Sequence, residues 1–203
     1  MRIKASRIAN LTDARYFAAR EVSYLGFCLE EGRAHFIEPG VMRAIREWVE
    51  GPRVVGEFEH SPAEVVREAA SFFALDAVQV SRIALLPELA GLEVLLRLEG
   101  IEGPDAVAAA WEQVQPYAAY LLVELTPESA RAAVRASSLT DAWQQVCAQV
   151  PVLLDAPLPA EDLAALLRAV QPAGFAVSGS DEERPGFKSF EQIDALFEAL
   201  GYF

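Results

Sequence analysis

The sequence contains no run of eighteen uninterrupted apolar residues, so no stretch reads as a membrane-spanning helix. Arg2, Lys4 and Arg7 sit in the first element, which does not fit a signal peptide. A cytoplasmic protein without membrane contact is the expectation. Cysteine is scarce: Cys28 and Cys147 stand far apart in apolar surroundings. They read as buried thiols in a reducing compartment, not as a disulfide framework. The histidines, His35 and His60, are not spaced with cysteine as zinc ligands, so neither a metal nor a cofactor is expected. Basic residues are in short supply, with 17 Lys and Arg against 30 Asp and Glu, for a net charge of −13. Such a surface repels phosphate backbones and disfavours nucleic-acid binding. The acidic groups are scattered along helix faces, as on an ordinary solvated surface. There is no low-complexity segment and no linker, so the 203 residues read as a single domain over 1–203.

What is present begins at once. Ile3 and Ala5 alternate with Lys4 and Ser6, the period of a strand. Asn10 or Thr12 can cap a helix that runs to Arg20. Ser6 and Arg7 therefore fall at the carboxyl end of a first strand, where ligands sit in parallel α/β folds.

The same unit repeats. Ser23 to Cys28 is a strand of the buried type, followed by a polar loop from Glu30 to Phe36. A helix opens at Glu38-Pro39 and runs to Val49, with proline near its first position, where the missing N–H costs nothing. Arg53 to Phe58 is the third strand. Ser61, Pro62 and Glu64 form a capping-box pattern for the third helix. Strands follow at 76–80, 94–98, 120–125, 152–155 and 174–178. Between them lie a short helix at 84–90 and helices at 104–115, 159–170 and 190–200. The segment 126–148 reads as helical in its second half, at 139–147. Trp48, Trp111 and Trp143 fall on helix faces and are expected to pack between helices and sheet. Eight strand–helix units imply a parallel sheet, and their number fits a closed (β/α)8 TIM barrel at the small end of its size range. An open doubly wound sheet is the alternative, but no G-x-G-x-x-G follows the first strand.

Laid out in this order, the chain resembles the phosphoribosylanthranilate isomerases, small barrel enzymes of tryptophan biosynthesis. That family opens with K-I-C-G-I-T and N-L-x-D-A; here Lys4-Ala5-Ser6-Arg7-Ile8-Ala9 leads to Asn10-Leu11-Thr12-Asp13-Ala14. Its L-G-F appears as Leu25-Gly26-Phe27, and its V-G-V-F as Val55-Gly56-Glu57-Phe58. Its L-D-x-V-Q-L-H-G appears as Leu75-Asp76-Ala77-Val78-Gln79-Val80-Ser81-Arg82. Its closing G-V-E-x-x-P-G-x-K-S is similar to the segment from Ser180 to Ser189. The order and spacing span nearly the whole chain.

The resemblance implies an Amadori rearrangement, in which a carboxylic acid opens the ribose ring and a thiolate removes the C2 proton. At the positions it assigns to this chemistry the sequence departs. The base cysteine is Ser6, whose hydroxyl does not ionise near neutrality without a partner base. The glycine beside it is Arg7. The acid aspartate falls on Val123, next to Glu124, and a one-residue slip decides which face a strand side chain takes. The family's histidine after V-Q-L is Ser81, and its loop arginine is His35. Gln79 is retained; buried, it should be hydrogen-bonded within the barrel. The phosphate cradle would come from backbone N–H groups after strands seven and eight. After strand seven stand Asp155-Ala156-Pro157, a negative charge and a missing donor. After strand eight, Ser178, Gly179 and Ser180 keep small residues and donors.

Three readings follow. A diverged member of the family has lost or changed the isomerase activity. Alternatively the activity persists with Glu124 as acid and another base such as Glu57; or the chain is a non-catalytic interaction protein with a filled barrel mouth. Arg7 binds an anionic ligand or pairs with Asp155 or Glu124. Glu57 and Glu59 could face the mouth, but a solvated strand end explains them as well. The ligand expected under the first two readings is a small anion or a sugar phosphate, and a homodimer is compatible with all three.

Overall fold

The computed structural model describes residues 1–101, 103–178, 182–184 and 187–202. Eight parallel strands close into a barrel: β1 (Arg2–Ser6), β2 (Tyr24–Cys28), β3 (Arg53–Phe58), β4 (Ala77–Val80), β5 (Val94–Leu98), β6 (Tyr120–Glu124), β7 (Val152–Asp155) and β8 (Gly174–Ser178). Closure is by β1 against β8, from Arg2 opposite Gly174 to Ser6 opposite Ser178. The helices are α1 (Leu11–Ala19), α2 (Pro39–Arg46), α3 (Ala63–Phe72), α4 (Pro104–Val114), α5 (Pro127–Arg135), α6 (Ser137–Gln149), α7 (Ala160–Val170) and α8 (Glu191–Leu200). A 3₁₀ segment, Ile83–Leu89, replaces a helix after β4, where Pro87 removes an α-helical donor. Two short strands, β9 (Glu182–Arg184) and β10 (Phe187–Lys188), pair antiparallel after the barrel. The TIM-barrel expectation holds. Among the described residues, no helix is long and apolar enough to cross a membrane.

Local differences from the sequence expectation have identifiable causes. Asn10 is the cap of α1, accepting from the Asp13 N–H at 2.9 Å. Ser61 does not cap α3. Pro62 holds that place, and the Ser61 hydroxyl donates instead to Glu30 at 2.7 Å. The expected loop before residue 139 is a helix, α5, because Thr126 accepts from the Ser129 N–H at 3.1 Å and Pro127 follows at the first helical position. Trp143 is buried as expected, whereas Trp48 lies beyond the end of α2 with 71% of its surface exposed.

Barrel closure inverts the usual reading of an alternating strand. Ile3, Ala5, Val54, Phe58, Val78, Val80, Leu121 and Val123 point outward into the apolar shell beneath the helices. The alternate residues therefore face the barrel axis, and they form layers. At the floor, Tyr24 and Tyr120 meet edge to face, and Glu93 accepts from the Tyr24 hydroxyl at 2.9 Å and from Arg53 at 2.8 Å. Above them Val55, Ala77, Leu95, Leu122, Leu153 and Ala176 make a dry layer. Above that layer the inward positions turn polar: Lys4 and Ser6, Glu57, Gln79, Arg97, Glu124 and Asp155. The fold thus delivers a charged ring to the carboxyl ends of the strands.

Candidate active site

The ring is built around a buried ion pair. Lys4 is fully buried, and its ammonium donates to Glu57 of β3 and, at 2.8 Å, to the Ser6 hydroxyl. The other Glu57 oxygen accepts from the Arg7 backbone N–H at 3.2 Å. Glu57 is 7% exposed, so it is an interior residue and not a solvated strand end. Its room comes from Gly26 on β2, where a Cβ would lie 2.8 Å from the Lys4 ammonium and would collide with the Glu57 carboxylate. Leu25-Gly26-Phe27 is therefore a packing requirement of the interior pair.

A second charged group lies across the barrel. Arg97 of β5 donates to Glu124 of β6 and, at 3.3 Å, to Glu59; Glu99 is also 3.3 Å away. Burial works against the Arg97 charge. Glu124, by its hydrogen bond and its negative charge, together with Glu99 and Asp155, more than offsets it and leaves this guanidinium above its ordinary value. Glu59 is engaged a second time by Arg33. Glu30 accepts from the Glu59 and His60 N–H groups at 3.0 and 2.8 Å, fixing the loop that leads into α3. Val123, where the resemblance places the acid, is buried in the outer shell; the side chain facing inward at the end of β6 is Glu124.

Two cavities open at this end of the barrel. The first, about 210 Å³, reaches Ser6, Arg7, His35, Gln79 and Asp155. The second, about 320 Å³, lies over the ends of β7 and β8 and reaches Arg7, Glu124, Asp155 and Ser178. Arg7 and Asp155 thus line both. Among the described residues the mouth is open, whereas the interaction-protein reading expects it filled. Ser81 is not among the lining residues, and its hydroxyl is buried without a hydrogen-bond partner among the described residues. Gly179 and Ser180 lie outside the described residues.

Besides the exposed His35, three lining groups at the strand ends make no hydrogen bond or ion pair among the described residues. Gln79 is 6% exposed, and its amide oxygen has no hydrogen-bond partner among the described residues, contrary to the expected bracing role. Arg7 is exposed and, among the described residues, makes no ion pair through its guanidinium, so neither Asp155 nor Glu124 locks it in place. Its φ of 57° lies in the left-handed region, which explains why the resembling motif has glycine there. The Asp155 carboxylate is likewise unpaired among the described residues. Burial pushes its pKa up, Glu124 adds to the rise, and Lys4, Arg7 and Arg97 oppose it. Cys28 also lines the first cavity, and burial raises its thiol above the usual range.

Among the described residues the second cavity is poor in anion donors. The β7–α7 connection contains Pro157 and Pro159, neither with an N–H, and α7 carries Glu161 and Asp162 in its first turn. The first turn of α8 carries Glu191 and Asp194. Carboxylates already occupy the positive ends of both helices.

A closed parallel barrel with a polar cavity at the carboxyl ends of its strands is the ligand-binding architecture of the TIM-barrel enzymes. No family model matches the chain. It is 24% identical over 204 residues to the N-(5'-phosphoribosyl)anthranilate isomerase of Maridesulfovibrio salexigens, covering 98% of each chain. Among solved structures it is similar to the phosphoribosyl anthranilate isomerase of Thermus thermophilus, at 27% identity and a TM-score of 0.75, covering 99% of this chain and 98% of that one. It is also similar to the isomerase of Thermotoga maritima, at 22% identity and a TM-score of 0.78 over the whole of both chains. Along its whole length the chain is thus similar to the phosphoribosylanthranilate isomerases, at an identity of 22–27%.

The sequence reading did not single out Lys4 or Arg97, and it gave Glu57 no partner. The missed signal was periodic. In a barrel wrapped by helices the outward strand face must be apolar. Lys4 between Ile3 and Ala5, and Arg97 between Leu96 and Leu98, can then only point inward.

Proposed function

We propose that this barrel has kept the family's ligand-binding mouth and lost the Amadori isomerase reaction. The observation that carries the reading is the state of Ser6. Its hydroxyl stands where the family's thiolate base would be, and it accepts a hydrogen bond from the Lys4 ammonium at 2.8 Å. A hydroxyl held by a cation has no base to take its proton. Glu57, the alternative base, is committed to Lys4 and to the Arg7 N–H. Cys28 does not substitute, because burial keeps its thiol protonated near neutrality.

The acid and the phosphate cradle fit the same reading. Glu124 faces the mouth, but Arg97 holds its carboxylate. The proline-containing loop after β7 and the carboxylates in the first turns of α7 and α8 are unsuited to a dianion. The test is turnover of phosphoribosylanthranilate by the purified protein, followed by loss of substrate fluorescence, together with growth of a tryptophan auxotroph lacking the isomerase. No turnover and no growth are expected. Turnover at a rate comparable to an authentic isomerase refutes the proposal. If that turnover is abolished by Glu124→Gln, the retained-activity reading takes its place, with Glu124 as acid.

A further inference from the structure

The first cavity has a simple charge ledger. Lys4 is matched by Glu57, Arg33 by Glu59, and Arg97 by Glu59, Glu99 and Glu124. Glu30 is taken up by two backbone N–H groups and a hydroxyl. Among the described residues this leaves the exposed His35 imidazole and, around the strand ends, the Arg7 guanidinium, the Asp155 carboxylate and the Gln79 amide oxygen without a hydrogen bond or ion pair. The last three are one cation, one anion and one neutral acceptor. Gln79 is 94% buried by its 6% exposure, so bulk water does not readily replace a missing donor there.

We infer that the first cavity takes a small zwitterion of the α-amino-acid class, its ammonium directed to Asp155 and Gln79 and its carboxylate to Arg7. The inference rests on the mouth being a ligand site, as proposed above, and goes beyond that proposal in naming the ligand chemistry. Each alternative leaves a group unmatched. A phosphate dianion meets Arg7 but brings its second charge against Asp155, Glu57 and Glu59. An uncharged polyol satisfies Gln79 but brings no opposite charge to either Arg7 or Asp155. A zwitterion matches all three, and about 210 Å³ is room enough for a single amino acid. Arg7 is well suited to a carboxylate, because its guanidinium can present two parallel N–H donors.

The experiment is isothermal titration calorimetry of the full chain against L-α-amino acids with uncharged side chains. L-alaninol, L-lactate and ribose 5-phosphate serve as probes lacking the carboxylate, the ammonium and the zwitterion respectively. At least one amino acid is expected to bind, and to bind about tenfold or more tighter than its amino-alcohol and hydroxy-acid counterparts, because each lacks one charge-assisted contact. Arg7→Gly is expected to weaken that binding by a similar factor. This variant keeps the fold, since Arg7 is exposed and its left-handed backbone suits glycine. Asp155→Asn and Gln79→Leu are expected to weaken it independently. If no amino acid binds, if Arg7→Gly leaves binding unchanged, or if ribose 5-phosphate binds tighter than every amino acid, the inference is overturned. The isomerase assay on the same preparation separates the two proposals. Turnover of phosphoribosylanthranilate sinks the lost-activity reading. Absence of both turnover and amino-acid binding sinks only the ligand assignment.

Discussion

Lys4→Met is the most informative single change in this molecule. It keeps most of the side chain's apolar packing, at one atom shorter, and removes its charge and its hydrogen-bond donors. In the parent, Lys4 is fully buried and donates to Glu57 and Ser6, with Glu57 itself 7% exposed. The variant leaves Glu57 as a buried carboxylate with one backbone N–H, from Arg7, as its remaining donor. Removing one partner of a buried pair costs about 3–5 kcal/mol, because the other charge is stranded. For a chain of this size each kcal/mol moves the melting temperature by about 2–4 °C, so the expected drop is about 6–20 °C. Thermal unfolding followed by far-UV circular dichroism measures it. The double variant Lys4→Met/Glu57→Leu completes the cycle. It removes the stranded charge and should recover at least half of the loss, since a buried pair replaced by apolar groups is often close to neutral. Recovery stays incomplete because the Arg7 N–H loses its acceptor, at about 1–2 kcal/mol. A loss under about 1 kcal/mol in Lys4→Met, or a double variant less stable than the single, would refute the claim that this pair organises the barrel interior.

Further expectations concern other groups. The Asp155 pKa is raised in the folded chain, so its ionisation opposes folding; its contribution is fully present below the unfolded carboxylate value and is lost as pH rises through the folded one. Asp155→Asn should therefore melt higher than the parent at pH 7, with an advantage that shrinks as pH falls toward 4; a constant difference across that range would show that Asp155 has no such linkage. Both thiols should resist Ellman's reagent at pH 7.5 in the folded protein and react fully in guanidinium, because burial raises the Cys28 thiol and pushes Cys147 up to about 11. Thr126→Ala removes the cap of α5 and should cost about 1 kcal/mol, read as the midpoint of urea unfolding. Ser61→Ala should spare the helix it was expected to cap, since Ser61 serves Glu30 instead; a loss of α3 helicity in the variant would contradict this.

Much of the barrel was legible because its signals are local. Apolar strand runs separated by amphipathic helices recur eight times, and each strand appears where the pattern places it. Errors arose where one local signal competed with another. Ser61-Pro62-Ala63-Glu64 carries the pattern of a capping box, yet the Glu30 carboxylate, distant in sequence, captures the serine hydroxyl. Thr126-Pro127 carried a valid helix start that the reading passed over, so α5 was missed. The site was legible as a list of residue types at strand ends. It was not legible as a set of partners, because the interior ion pairs Lys4–Glu57 and Arg97–Glu124 each join different strands.

The sequence by itself determined the alternation that builds the strands, the order of the eight units, and the substitutions at the end of β1, Ser6 and Arg7, where the resemblance expects a thiol and a glycine. Those are properties of residue type and spacing along one chain. The tertiary structure decided which polar groups are spent and which are free. Closing the sheet turns Lys4 inward onto Glu57, places Val123 outside and Glu124 inside, and leaves Arg7, Asp155 and Gln79 without partners among the described residues. The physical reason is that pairing between charges depends on distance across the barrel, and that distance is set by strand register and closure, which no single segment encodes.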